Sequence, residues 1–276
     1  MENRIVLPNK KDLKFYEKYG INTFLLPLEE YSVGCDVYFN IDEINTYSNE
    51  YNIYVYMNKF LHKDIDSFDI KKFNKNIKFI VEDIGLVNKI ESDRLVLYEN
   101  HILSNYKAIN YLRDLSIFNV VINNDLTIKE LESISKNTSS NIYYFYVSKN
   151  ILMYSRRPLV SAYKKHYDIK NDKNEYLLNE KVTHKTLDIK EEKYSSVVRF
   201  NKIFCASRYI DKLNGFNLIY DFSNIDETNE KMILENLDNP GLCDLIDSDY
   251  YFLENDIKYK VGDLEWNMNY CCLLGI

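Results

Sequence analysis

Residues 77–147 read IKFIVEDIGLVNKIESDRLVLYENHILSNYKAINYLRDLSIFNVVINNDLTIKELESISKNTSSNIYYFYV, and their rhythm decides the fold. Four short runs rich in β-branched and aromatic residues stand out: Ile77–Val81, Arg94–Tyr98, Asn119–Ile122 and Ile142–Val147. Each is too short for a helix and is bounded by Asp, Asn or Ser, the pattern of buried strands. Between them lie amphipathic stretches, Tyr106–Asp114 and Thr127–Ser135. Thr127 and Glu130 have capping-box spacing, which marks the start of the second helix. Strands that alternate with helices pair in parallel, because each helix carries the chain back across the sheet.

The same alternation extends outward. Arg4–Leu7, Thr23–Leu28, Ile53–Met57 and Phe216–Tyr220 read as further strands, with helices expected at Lys10–Tyr19, Ile41–Ser48, Asp64–Phe73 and Asp226–Leu237. Eight strands with intervening helices predict an α/β protein, a (β/α)8 TIM-barrel-like single domain. The 276 residues fit one such barrel of about 250 residues with little to spare. The expected barrel spans residues 1–240, with a polar, aperiodic insertion near 161–196. A small C-terminal β extension over 241–276, with strands within Tyr250–Trp266, is expected to pack on the barrel.

Composition narrows the function classes. Apolar residues make up 46% of the chain, enough for a large core, and no apolar run is long enough to span a bilayer. The start, MENRIVLPNKKDLKF, lacks the apolar region of a signal peptide. Five scattered cysteines (Cys35, Cys205, Cys243, Cys271 and Cys272) suit free thiols in a reducing compartment, so a cytoplasmic protein without membrane partners is expected. The net charge of −7 argues against a general polyanion binder. The charge is uneven, however. Seven basic residues between Lys149 and Lys173 face only Asp168 and Asp172, an anion or nucleic-acid footprint or else a solvated loop.

No Gly-rich phosphate loop, zinc-type cysteine pairing or helical His pair is present, so no metal site is expected. The histidines are dispersed and read as structural. In a parallel barrel the residues just past each strand line the working face. The fourth strand delivers Glu82 and Asp83. The fifth delivers Glu99, Asn100 and His101, then Asn105. The sixth delivers Asn123, Asn124 and Asp125, and the seventh leads to Tyr154, Ser155, Arg156 and Arg157. Glu82, Asp83, Glu99 and Asp125 are the acid/base candidates. Asn105, Tyr154, Ser155, Arg156 and Arg157 are the substrate-binding candidates, the arginines through bidentate contact with an anion. The competing reading makes these residues helix caps; it explains Asp125 well and Arg156–Arg157 poorly.

These segments also carry a resemblance. Asp83–Gly85 at a strand end, Ser104–Tyr106 opening a helix, Asp125–Glu130 before the next, and Tyr154–Arg157 stand in the order and spacing of the collagenase-like peptidase family, the U-thirty-two family. The match is clear over about residues 50 to 165 and looser on the flanks. The resemblance implies a barrel-like fold. It also implies two kinds of activity, since members carry a peptidase label while others serve hydroxylation pathways, including that of the tRNA wobble uridine. The short Ser-Arg-Arg form resembles the smaller of two bacterial paralogues linked to that tRNA reaction, which implies tRNA and a longer family paralogue as partners.

Two departures qualify it. Members with an iron–sulfur cluster have a cysteine where Pro158 stands and further cysteines shortly downstream, so no cluster and no other cofactor is expected. The family's Arg-Glu pair after the sixth strand is Asn124–Asp125 here. Three functions stay open: an enzyme or subunit of tRNA uridine hydroxylation, a peptidase, or a non-catalytic partner of a longer paralogue. On the first, Lys149, Lys164, Lys165 and Tyr163 would contact RNA.

Overall fold

The computed structural model describes residues 4–99, 103–179, 186–193 and 195–254. The strands of the barrel open with β1 (Arg4–Leu7), β2 (Thr23–Pro27), β3 (Asn52–Met57), β4 (Lys78–Val81), β5 (Leu95–Tyr98), β6 (Asn119–Val121) and β7 (Asn141–Ser148). After them come β8 (Ile151–Ser155), β9 (Glu175–Asn179), β10 (Thr186–Glu191), β11 (Ser196–Phe200), β12 (Ile203–Cys205), β13 (Asn217–Asp221) and β14 (Ser248–Asp249). Strands β1 to β7 pair in sequence, all parallel, and β13 closes the ring between β7 and β1. This is the expected eight-stranded barrel, with all eight strands where the sequence places them to within about two residues.

The period of two along each strand separates two cores. One set of side chains, including Ile5, Leu7, Leu25, Tyr54, Tyr56, Ile80, Val96, Tyr143, Phe145 and Ile219, fills the barrel interior. The alternate set, including Val6, Phe24, Leu26, Val55, Phe79, Leu97, Val120, Tyr144 and Tyr220, faces the surrounding layer. Aromatic rings stack up the inside: Tyr54 and Tyr143 hydroxyls meet at 3.2 Å, and the Phe145 ring lies 6.3 Å from Tyr56 and 5.4 Å from Tyr98.

Helices α1 (Lys14–Glu17), α2 (Ile41–Tyr47), α3 (Tyr106–Asp114) and α4 (Ile128–Asn137) form part of that outer layer. Asn105 caps α3 through Ala108 N–H, and Thr127 caps α4 in a capping box with Glu130. Each then buries a stripe, Ile109 and Leu112 on α3 and Leu131 and Ile134 on α4, worth roughly 2 kcal/mol per large side chain. Two expected helices are corrected. Lys10–Tyr19 yields only the single turn of α1, because Asp12 ties Lys14 N–H before it and Gly20, at φ +76°, ends the turn after it. Asp64–Phe73 becomes two 3-10 turns, His62–Ser67 and Ile70–Lys72. Its Ser and Asp residues compete for the backbone, Asp69 accepting from Lys71 N–H and Ser67 donating to Asp64 C=O.

The stretch near 161–196 is more ordered than its composition suggests. Helix α5 (Leu159–His166) and an antiparallel sheet in the order β8-β11-β10-β9 form an insertion between β7 and β13. Strand β12 then pairs antiparallel with the end of β7. Beyond the barrel, helices α6 (Glu227–Glu235) and α7 (Leu242–Leu245) precede β14, which pairs with β12. Of the expected Tyr250–Trp266 strands, 250–254 form turns and bends; 255–276 lie outside the described residues. No helix among the described residues is long and apolar enough to cross a membrane.

Candidate functional site at the barrel mouth

The insertion sits over the C-terminal ends of the barrel strands. Cross-strand pairing puts Tyr154, Val197, Arg199, Asp188 and Lys190 on one face of its sheet. That face meets the mouth. Arg199, 2% exposed, donates from Nη2 to Gly34 C=O at 2.6 Å and pairs with Glu192 at 3.5 Å. Glu192 also accepts from Gly34 N–H (3.0 Å) and from the Tyr38 hydroxyl (3.3 Å). Lys190 pairs with Asp36 at 3.8 Å. Gly34 has φ +75°, and a Cβ there would lie 2.6 Å from Arg199 Nη2, so only glycine allows this approach. The insertion is thereby clamped to the segment after β2, on one side of the mouth.

The other side stays open as a cavity of about 600 Å³, within the range of small-ligand sites. Tyr56, Tyr98 and Phe145 form its floor. Glu82, Asn123, Asn124, Asp125, Asn150 and Asp221 bring polar groups from the ends of β4, β6, β7 and β13, and Tyr154 to Arg157 form a wall. Tyr154 is fixed there: its hydroxyl accepts Phe60 N–H at 2.7 Å, and its ring stacks on Phe60 with centroids 6.1 Å apart.

The cavity carboxyls differ in proton affinity. Burial, reinforced by neighbouring Glu99, pushes Glu82 up to about 8. Burial also pushes Asp221 up to about 6, although Ser223 donates to it and Arg199 lies nearby. Near neutral pH, Glu82 therefore mainly holds a proton while Asp221 is mainly ionised. One cavity thus contains an acid and a base, the arrangement that divided carboxyl roles require.

The expected site residues divide. Glu82, Asp125, Tyr154, Ser155, Arg156 and Arg157 line the cavity together. Arg156 lies 3.7 Å from Asp64, both well exposed, and Ser155 Oγ accepts Arg157 N–H. Glu99 stands behind Glu82 as its electrostatic neighbour. Asp83 is placed differently: its two oxygens accept Leu61 N–H (2.8 Å) and Gly85 N–H (2.9 Å), tying the loop after β3 to the turn after β4. Asn105 caps α3, and Asp125, at an exposed turn, exchanges hydrogen bonds with Asn123. Asn100, His101 and His184 lie outside the described residues.

The RNA candidates do not converge. Lys149 pairs with Asp188 at 3.7 Å on the mouth-facing side. Lys164 donates to Lys173 C=O, and Tyr163 packs against Tyr167, on α5. Helix α5 is held to the opposite face of the sheet by Ser161–Glu191 and Leu159–Ser196 hydrogen bonds. Lys165 lies on the same helix. Of the Asp, Glu and His residues that line the cavity, two were not among the expected ones, Asp221 and His62. Asp221 had a signal: it is the first polar residue after the Leu218–Tyr220 run. His62 had none beyond lying past β3.

Among the described residues no three His, Cys, Asp or Glu side chains are grouped to hold a metal. Of the cysteines among the described residues, Cys35 is buried in the barrel interior, away from Cys205 and Cys243, and Cys271 and Cys272 lie outside the described residues. No curated protein and no solved structure matches the chain. A family comparison matches residues 9–218, most of the chain and nearly all of the barrel, to Peptidase family U32. With that match and the barrel in agreement, the chain belongs to Peptidase family U32.

Proposed function

We propose that this protein acts on tRNA, in hydroxylation of the wobble uridine, as an enzyme or as a subunit beside a longer family paralogue. The observation that carries the reading is the position of Arg156 and Arg157. They follow β8 on the cavity wall and lead through Pro158 into α5, whose Lys164, Lys165 and Tyr163 continue the cationic, aromatic run on the outer face. An RNA strand held by its phosphates on that run reaches the mouth at the two guanidiniums. There the aromatic floor offers stacking, Glu82 a transferable proton and Asp221 a base. Binding of tRNA by the purified protein tests this. Affinity should fall steeply between about 50 and 200 mM salt, and Arg156→Ala/Arg157→Ala should flatten that slope by about two. Affinity that ignores both salt and the double substitution contradicts the reading.

A second reading is a peptidase, favoured by the Glu82–Asp221 difference in proton affinity. An ionised Asp221 activates water while protonated Glu82 donates to the leaving amine. Cleavage of gelatin or peptides by the purified protein, abolished by Asp221→Asn, would favour it over the RNA reading. A third, a non-catalytic partner, draws on Asn124, whose side chain donates to Phe145 C=O at 2.9 Å instead of presenting a charge. Co-purification with a paralogue, without activity of its own, distinguishes it.

A further inference from the structure

Away from the mouth, a second chemical cluster joins the return strand of the insertion to the C-terminal segment. Cys205 ends β12 and Cys243 lies in α7; both are free thiols. The buried hydroxyl of Ser207 stands between them, 3.5 Å from Cys205 Sγ and 3.0 Å from Cys243 Sγ. The sulfurs are therefore no more than about 6.5 Å apart. Cys243 is further tied back by its N–H to Ser207 Oγ (3.1 Å) and, while protonated, by its thiol donating to Cys205 C=O (3.1 Å). The two thiols differ in setting: Cys205 is 1% exposed, whereas Cys243 is partly open to solvent.

We propose that Cys205 and Cys243 form a redox-active dithiol site, in which Cys243 is the attacking thiolate and Cys205 the resolving thiol. The environment divides the labour. Cys243 is the thiol a reagent in solution can reach, and hydrogen bonding with Cys205, and then with Ser207 and Arg208, lowers it from the ordinary thiol value. Cys205 is pushed the other way by that shared hydrogen bond and by burial, and keeps its proton. A low-molecular-weight disulfide supplies the oxidant. Cys243 S⁻ attacks one sulfur of it, forming a mixed disulfide and releasing one thiolate. Cys205 then attacks Cys243 Sγ and releases the second thiolate, which takes up the Cys205 proton. Two protein thiols are oxidised to one disulfide, and the reagent is reduced to two thiols.

The crosslink joins β12 to the segment that carries β14 and, just beyond it, Tyr251 and Phe252 of the cavity wall. That segment already meets β12 through the Ile203–Ser248 and Phe204–Asp249 pairs, the Ile203 N–H bond to Asp247 C=O and the stacked Phe204 and Tyr251 rings, none of them covalent. Oxidation staples one wall of the cavity to the barrel, independently of what the cavity binds.

The test uses the full chain carrying Cys271→Ser and Cys272→Ser, treated with glutathione disulfide and mapped by mass spectrometry without reduction. The expected result is a linked peptide pair containing Cys205 and Cys243, undone by dithiothreitol. Cys205→Ser in that background should arrest at one glutathione on Cys243, and Cys243→Ser should take up none on Cys205. Recovery of both residues as free thiols after treatment, or an adduct on Cys205 in the Cys243→Ser protein, overturns the proposal. A stable adduct on Cys243 with Cys205 intact overturns the resolving role.

Discussion

Replacing Glu82 by Gln keeps the shape of the side chain and removes its charge, so it isolates the electrostatic strain built into the mouth. The ordinary glutamate value is 4.5, and burial beside Glu99 raises Glu82 to about 8. Because the folded-state value is the higher one, the carboxyl's contribution to stability is complete below the unfolded value. It is lost as pH rises through about 8. Across that window the native state holds a proton that the unfolded chain has released, and each pH unit lowers wild-type stability by at most about 1.4 kcal/mol. The bound for the whole window is nearly 5 kcal/mol. Glu82 lines a cavity that opens to the surface, and solvent screening reduces the expected effect to about 2–3 kcal/mol. Asp221 titrates in both proteins and cancels in their difference. Urea unfolding of wild type and Glu82→Gln between pH 4.5 and 9 should show the variant gaining on wild type as pH rises, from near parity to about 2–3 kcal/mol more stable. A stability gap that does not change with pH, or a variant that is less stable at pH 9, refutes the claim that Glu82 is held protonated.

Three further substitutions probe the supports of the site. Arg199→Met leaves Glu192 charged and enclosed, and should cost about 3–5 kcal/mol in urea unfolding, with much of it recovered by adding Glu192→Gln. Gly34→Ala meets both a positive φ and the Arg199 guanidinium, and should cost about 2 kcal/mol or more, seen as a lower thermal midpoint. Asp83→Asn turns one of two oxygens that accept backbone N–H groups into an N–H₂. It should lower stability by about 2 kcal/mol while leaving tRNA affinity close to wild type.

What the sequence disclosed follows from which interactions are local. The strands were legible because Phe79, Val96, Val120 and Tyr144 belong to short apolar runs whose burial needs no partner to be recognised. Helix starts at Asn105 and Thr127 were legible for the same reason, since caps act within one turn. Asp83 shows the limit. Its place past β4 marks it for the active face, but its oxygens are taken by Leu61 and Gly85 N–H groups, one of them on another loop. The insertion was legible as such, but not its internal order, which comes from long-range pairs: Arg199 with Gly34 spans 165 residues, and β10 alternates Leu187, Ile189 against Asp188, Lys190 within a polar surrounding. Asp221 was missed because its importance lies in burial at a closed ring, which only β13 meeting both β1 and β7 creates. The basic stretch looked like one patch in sequence, yet the sheet separates it, with Lys149 facing the mouth and α5 on the other side.

The account depends most on guanidiniums and carboxyls at one barrel mouth working on tRNA. The direct measurement is mass spectrometry of tRNA nucleosides from a deletion strain complemented with wild type or with Arg156→Ala/Arg157→Ala. The account predicts that deletion removes the hydroxylated wobble uridine, that wild type restores it, and that the double variant, though folded, does not. A nucleoside profile unchanged by deletion, or restored equally by the double variant, would contradict it.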